Sequence, residues 1–213
     1  MTQRSLAERA RDHIRERITS GQYPPGSRIK ERELSEELGI SRIPIREALT
    51  GLSTEGFITL QPRRGAVVTE LAPEDLHEIF EIREVLEVQE VVLALRHGTE
   101  SEKQTLLEIV EAERDAVRAG DADRVASGNA AFHQQLVEMS HNALLASLLD
   151  LLRSRLSWLL RQNDDASTIC AQHFEIASAI AEGDEARARE LADEHVATSR
   201  RVAMSLLFGE DGS

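Results

Sequence analysis

Apolar residues recur at helical spacing in two adjacent runs near the N-terminus of the chain. In the first run Leu34 and Leu38 lie four positions apart, and Gly39 follows where a helix commonly ends in a left-handed turn. The second run begins at Ser41, whose hydroxyl can accept a hydrogen bond from the free amides of a helix. Pro44 falls in the first turn, where a missing N–H costs little. The pattern predicts a helix-turn-helix.

The second predicted helix has an apolar and a polar side. Ile45, Leu49 and Leu52 form the apolar stripe, whereas Arg42 and Arg46 project from the other side of the first turns. In helix-turn-helix proteins this end of the helix enters the major groove, where guanidinium groups pair with guanine edges or phosphates. The two arginines therefore predict a DNA-reading surface.

A short hairpin with a basic tip follows this helix. Residues 57–60 and 66–68 have the composition of strands, and the turn between them contains Arg63, Arg64 and Gly65. The alternative interpretation is a small helical core with a surface hairpin and solvated arginines. We favour a winged DNA-binding domain, because turn glycine, helix start, paired arginines and basic hairpin occur together.

The rest of the chain shows helical spacing almost without interruption. All five prolines lie within the first 73 residues, so the remainder favours continuous helices. We predict a mainly α protein, with an N-terminal winged helix-turn-helix domain at residues 1–70 and an antiparallel all-helical bundle at residues 71–213. The predicted bundle helices cover residues 73–97, 101–119, 121–140, 142–162, 167–182 and 184–207. The fourth of these is leucine-rich over more than one face, which predicts a central position or a dimer contact.

Charge divides at the same boundary. Residues 1–70 contain 12 Lys and Arg against 10 Asp and Glu, and the remainder contains 13 against 28, which gives the net charge of −13. Nonspecific DNA affinity comes from neutralising phosphates, so we expect binding through a small basic face, paired with a second one in a homodimer.

Other features limit the location and chemistry of the protein. Cys170 is the only cysteine, which excludes an intramolecular disulfide and the paired-cysteine metal motifs. No apolar run approaches the length of a membrane span, and the charged N-terminal segment does not have the character of a signal peptide. We therefore expect a cytoplasmic protein with no membrane partner.

Three histidines lie on the inward stripes of three different predicted helices: His133, His173 and His195. Neutral imidazole is a common transition-metal ligand, and helical bundles build metal sites from side chains on facing helices. A single such residue is more often a hydrogen-bonded core histidine. A metal site and structural histidines both stay open, because no local motif such as HExxH is present.

Residues 41–49, SRIPIREAL, resemble the hallmark of the GntR family of bacterial transcription regulators, and the similarity extends upstream through LAERARDHIRERITSGQYPPGSRIKERELSEELGIS. Ile43 and Ile45 stand where the family usually has threonine and valine, and the loss of a hydroxyl at Ile43 implies an altered sequence preference. The resemblance implies that DNA is contacted by Arg32, Ser41, Arg42, Arg46, Arg63, Arg64 and Gly65.

The second half is similar to the FadR-type effector domain called FCD, in the segments EIREVLEVQEVVLALRHG, NAAFHQQLVEMSHN and QHFEIASAIAEGDEARARELADEHV. The resemblance implies a divalent metal such as zinc or nickel. The implied ligands are Asn129, His133, His173 and His195. Asn129 stands where metal-binding members have aspartate, and its amide oxygen contributes no negative charge, which lowers the expected affinity.

Arg83 occupies the position of an arginine that assists effector binding in similar proteins. A guanidinium suits a carboxylate bidentately, so the resemblance implies a small carboxylic acid as the effector. The alternative is a surface salt bridge between Arg83 and Glu87, because their i, i+4 spacing is common on exposed helices.

The sequence therefore predicts a homodimeric, ligand-responsive transcription regulator, acting as a repressor, that binds an inverted-repeat DNA operator and a small organic acid. A regulator that senses the metal without an organic effector is the main alternative. A metal-free bundle with an apolar ligand is another. A metal-dependent hydrolase is the third alternative, but the sequence contains no acid or base that its spacing would identify as catalytic.

Overall fold

The computed structural model of the protein describes residues 5–62, 64–160 and 166–209, with the backbone alone for residues 154–160. The chain divides into two compact units at Ala72 and Pro73. The first unit contains α1 (Leu6–Thr19), β1 (Arg28–Ile29), α2 (Glu31–Leu38), α3 (Arg42–Thr54), β2 (Ile58–Gln61) and β3 (Gly65–Val68). The second contains α4 (Pro73–His97), α5 (Glu100–Ala119), α6 (Ala122–Met139), the start of α7 (Ala143–Leu160), α8 (Ala166–Glu182) and α9 (Glu185–Phe208).

The helix-turn-helix of the first unit is built on the predicted turn. Gly39 ends α2 with a left-handed φ of 64°, and its N–H donates to the carbonyl of Ser35. Ser41 is the residue that precedes α3, but its side chain forms no capping hydrogen bond, which corrects the prediction. Pro44 occupies the third helical position and lacks the N–H that commonly donates a hydrogen bond to the residue before a helix.

A three-stranded antiparallel sheet completes this unit. β3 is the central strand and pairs with β1 on one side and β2 on the other. The predicted wing is present as β2 and β3, whereas β1 was missed because two residues are too short to show an alternating pattern. Side chains from α1, α2, α3 and the sheet form one core that includes Ile14, Leu34, Ile45, Leu49, Leu52 and Ile58.

The second unit is helical in its described residues, as predicted. Within it α5 packs against α6 and α8, and α4 packs against α9. The core includes Val91, Leu106, Val110, Phe132, Ile176 and Ile180. Thr99 and Glu102 form a capping box at the start of α5. The predicted and observed helix ends differ by a few residues, and positions 161 and 162 of the leucine-rich prediction lie outside the described residues.

Leucines of α7 differ sharply in exposure. Leu145 and Leu149 are buried, whereas Leu144 is 71% exposed. The helix therefore has one buried face in its described part. No helix in the described ranges has the combination of length and apolar character that crossing a lipid bilayer requires.

Candidate functional site

The first turns of α3 present basic side chains on the surface of the first unit. Arg42 and Arg46 are both exposed, and Ile43 between them is 69% exposed. Nε of Arg46 lies 2.8 Å from a carboxylate oxygen of Glu31. A surface ion pair of this kind contributes at most about 1 kcal/mol, so the guanidinium can exchange this partner for a phosphate or a guanine. Ser41 is exposed beside these residues in the chain.

Arg32 is the predicted DNA contact that lies in α2. Its guanidinium lies 2.8 Å from a carboxylate oxygen of Glu36, one turn later in the helix, and its side chain is 75% exposed. This pair is also a weak, solvated one. The structure therefore leaves Arg32 accessible to an anionic partner.

The tip of the wing carries the remaining predicted DNA contacts. Arg64 and Gly65 are exposed, and Gly65 has a φ of 78°, which favours glycine. Arg63 lies outside the described residues. A side-chain carbon at Gly65 would lie 3.9 Å from two guanidinium nitrogens of Arg28, so this strand residue adds a cation beside the tip. Sequence reasoning missed Arg28, because the strand that carries it was not recognised.

The second unit brings the three predicted histidines together. His133 lies on α6, His173 on α8 and His195 on α9. Their ring centroids are 5.3 Å apart for His133 and His173, 5.5 Å for His133 and His195, and 4.9 Å for His173 and His195. One potential ligand nitrogen from each ring lies within 4.8 Å of the other two. His173 and His195 are buried, and His133 is partly buried.

Two side chains outside this cluster orient its rings. Nδ1 of His173 lies 2.9 Å from Oε2 of Glu113 on α5, and both side chains are buried. Nδ1 of His195 lies 3.3 Å from Oε1 of Gln172 on α8. In the tautomer with the proton on Nδ1, each ring donates to its oxygen partner and carries its lone pair on Nε2. Hydrogen bonds of this type orient metal-binding histidines in proteins.

Phe132 also contacts the ring of His173, and the hydrogen-bond partner of this ring, Glu113, has a raised pKa. Phe132 stacks on the His173 ring with the ring centroids 4.0 Å apart and the planes 20° from parallel. Burial raises the pKa of the Glu113 carboxyl to about 7. The sequence prediction did not include Glu113 or Gln172.

A small cavity adjoins the histidine cluster. Its polar lining consists of Glu87, Glu90, His133 and His195, and its apolar lining includes Phe132 and Leu136. Glu87 and Glu90 come from α4 and are almost completely buried. The imidazoles and carboxylates give the cavity the donor atoms that a divalent cation prefers.

Arg83 lies one turn before Glu87 on α4. Nε and Nη2 of Arg83 lie 2.8 Å and 3.2 Å from the two carboxylate oxygens of Glu87, and the guanidinium packs 4.6 Å from the centre of the Phe80 ring. The predicted pair with Glu87 is therefore present, but the alternative of a surface salt bridge is wrong, because both side chains are buried. Nη1 of Arg83 is buried and has no hydrogen-bond partner among the described residues. Arg83 itself is not one of the cavity-lining residues.

Asn129 lies one turn before His133 on α6 and is partly buried. Residues four apart lie on the same face of a helix, so Asn129 and His133 share a side of α6. The neighbouring Gly128 lies against Glu113, because a side-chain carbon there would come 2.9 Å from Cβ and Cγ of Glu113.

A winged helix-turn-helix followed by an all-helical domain is the architecture of a class of two-domain transcription regulators. The family of bacterial regulatory proteins called GntR matches residues 6–68, and the FCD domain matches residues 78–198. The chain belongs to the GntR family and contains an FCD domain, so it is a transcription regulator and not an enzyme. The predicted family and fold class are confirmed.

Similar proteins include regulators from several bacteria. The HTH-type transcriptional regulator YdhC of Bacillus subtilis is 32% identical over 87% of this chain and 83% of its own length. The gluconate operon transcriptional repressor of Bacillus licheniformis is 32% identical over 68% of this chain and 60% of its own length. The solved structure of McbR/YncC from E. coli has the same fold, with a TM-score of 0.80, 23% identity, and coverage of 94% of this chain and 98% of that one.

Proposed function

We propose that the second unit of this regulator binds a small organic acid at a divalent metal and thereby controls DNA binding by the first unit. The observation that carries the proposal is the approach of three imidazoles from α6, α8 and α9, with potential ligand atoms within 4.8 Å of one another. The proposed boundaries are residues 1–70 for the DNA-binding domain and residues 71–213 for the effector and dimerisation domain.

The residues around the cluster fit a zinc or nickel ion. Imidazole nitrogens suit both metals, and hydrogen bonds that His173 and His195 donate to oxygens of Glu113 and Gln172 are of the kind that orient metal-binding histidines. His133, His173 and His195 would hold the ion, with the amide oxygen of Asn129 as a fourth donor. When bound, the metal would supply a Lewis-acidic position for a carboxylate oxygen of the effector.

Arg83 supports an acidic effector in a different way. Glu87 engages Nε and Nη2 of its guanidinium, while the buried Nη1 has no hydrogen-bond partner among the described residues. An unsatisfied buried donor is unfavourable, so a carboxylate that reached Nη1 would gain a charge-assisted hydrogen bond. We therefore assign Arg83 to effector binding and Glu87 to holding its guanidinium in place.

DNA binding is proposed to use two first units of a homodimer on an inverted repeat. The gluconate operon relative is named a repressor, which supports repression as the mode of action. An effector that changes the separation of the two α3 helices would prevent both from engaging at once and would lose the avidity of paired binding. The proposed DNA contacts are Arg32, Ser41, Arg42, Arg46, Arg63, Arg64 and Gly65.

The proposal is tested by measuring operator affinity in the presence and absence of metal and acid. The operator is first selected from random duplexes with the full-length protein. Binding is then titrated with mono-, di- and tricarboxylic acids, using protein stripped of metal and protein loaded with Zn²⁺ or Ni²⁺. We expect an acid to change operator affinity only in the loaded protein. A change caused by metal alone would favour the metal-sensing alternative, and constant affinity under all conditions would contradict both.

Replacing Arg46 with alanine is expected to weaken operator binding by about 1 to 3 kcal/mol if the guanidinium pairs with a guanine. The surface ion pair that Arg46 forms with Glu31 should contribute little to stability. Operator affinity measured by fluorescence anisotropy checks the prediction, and a helical circular dichroism spectrum checks the fold. Arg9→Ala is the matched control, because Arg9 is an exposed arginine on α1. Equal affinity of Arg46→Ala and the wild type would remove Arg46 from the DNA contacts.

A further inference from the structure

The geometry points to Glu113 as a positioning residue of the metal site, whose carboxylate accepts the Nδ1 proton of His173 and turns Nε2 of that ring into the metal-binding nitrogen. This inference rests on the proposed metal site and adds a residue on α5, a helix that provides none of the proposed ligands. Glu113 would not be a ligand of the metal. It acts through His173.

Direct contact is the first support. Oε2 of Glu113 lies 2.9 Å from Nδ1 of His173, and the exposed fractions of the two side chains are 1% and 0%. A buried carboxylate forms a stronger hydrogen bond to an imidazole than an exposed one, because water does not compete for either group. The bond therefore holds one tautomer and one ring orientation, as outer carboxylates do in protein metal sites.

Packing between α5 and α6 is the second support. Gly128 lies within α6, where glycine costs conformational entropy and needs a packing reason. A side-chain carbon at Gly128 would lie 2.9 Å from Cβ and Cγ of Glu113 and 3.3 Å from its Cα. The missing side chain thus allows α6 to approach α5 at the level of Glu113. The stem of Glu113 is held by this contact while its carboxylate reaches His173.

Charge is the third support. The amide of Asn129 contributes no negative charge to the site. Of the two side chains that orient the imidazoles, Gln172 is neutral and Glu113 is acidic. A carboxylate bonded to a ligating imidazole makes the imidazole a stronger donor to the metal. In its ionised form Glu113 therefore adds negative charge beside a proposed ligand, outside the set of ligands.

The test compares metal binding by the full-length wild type with Glu113→Ala and Glu113→Gln. Glutamine keeps an oxygen that can accept from Nδ1 but removes the charge, whereas alanine removes both. Zn²⁺ affinity is measured by competition with a chromophoric chelator, and the absorption bands of bound Co²⁺ report the ligand environment. We expect the affinity of Glu113→Ala to fall by about 10- to 100-fold, with a smaller fall in Glu113→Gln and altered Co²⁺ bands in both. Glu108→Gln is the matched control, because Glu108 is an exposed carboxylate on the same helix.

The tautomer gives an independent measurement. Nitrogen-15 spectra of the metal-free wild type should show His173 with its proton on Nδ1, and Glu113→Ala should lose this preference. Unchanged Zn²⁺ affinity, Co²⁺ bands and tautomer in Glu113→Gln and Glu113→Ala would overturn the role of Glu113, provided that the wild type binds metal and His133→Ala does not. Absence of metal binding in the wild type would instead contradict the proposed metal site itself. Glu113→Gln alone is sufficient for the test if the alanine variant does not fold.

Discussion

Replacement of Arg83 with methionine is expected to lower the free energy of unfolding by about 3 to 5 kcal/mol, because it leaves the carboxylate of Glu87 buried without the guanidinium that it now bonds. The two side chains are 2% and 4% exposed, so water cannot replace the lost partner. Methionine keeps much of the length of the arginine stem and limits the loss of packing against Phe80. Urea denaturation followed by circular dichroism checks the expected loss.

The double variant Arg83→Met, Glu87→Met is the matched control for this prediction. Removing both charges eliminates the cost of a buried carboxylate that has lost its guanidinium, so the double variant should recover most of the stability. If Arg83→Met alone were as stable as the wild type, the buried pair would have no part in holding α4. The double variant also separates two roles of Arg83, because it restores the fold without restoring a guanidinium for the effector. Retained acid binding by that variant would contradict the assignment of Arg83 to the effector.

Helical periodicity was sufficient to predict most of the fold. The apolar stripes and the glycine at position 39 identified α2, α3 and the helices of the second unit, because a residue every three to four positions must face the core. The same spacing placed His133, His173 and His195 on inward faces, and the structure brings them together. Side chains that point inward from three packed helices lie close together when they are at the same level of the bundle.

The features that the sequence analysis missed depend on contacts between elements. β1 was missed because its pairing with β3 is visible only once the chain has folded. The predicted capping hydrogen bond of Ser41 was wrong, and the proline at the third helical position removes one of the two N–H groups that could donate to this hydroxyl. The burial of Arg83 and Glu87 could not follow from their spacing, since i, i+4 ion pairs are common on exposed helix faces.

Glu113 is a case in which a usable signal was present. Leu106, Val110 and Glu113 follow one another at steps of four and three along α5, and all three are buried. A carboxylate on an apolar stripe needs a partner, because burial of an unpaired charge is costly. The sequence therefore indicated an unusual buried acid, but it could not show that the partner was His173.

Zinc is expected to stabilise the second unit by about 4 kcal/mol when its free concentration is about 1,000 times the dissociation constant, because binding to the folded state alone shifts the unfolding equilibrium. The proposed histidine ligands come from α6, α8 and α9, so they are close together only when these helices are packed. The unfolded chain would hold the ion far more weakly. Thermal and urea unfolding at several free Zn²⁺ concentrations check the predicted dependence.

The stabilisation by zinc should be lost in His133→Ala and kept in His141→Ala. His133 is partly buried beside the other two rings, whereas His141 is 51% exposed and lies 3.3 Å from a carboxylate oxygen of Glu102. Both variants lose one imidazole, and only the first changes the cluster. Equal stabilisation of the two variants would show that the ion binds elsewhere. Loss confined to His133→Ala would mean that metal occupancy and the packing of three helices are linked, which the proposed control of DNA binding by an acid at that metal requires.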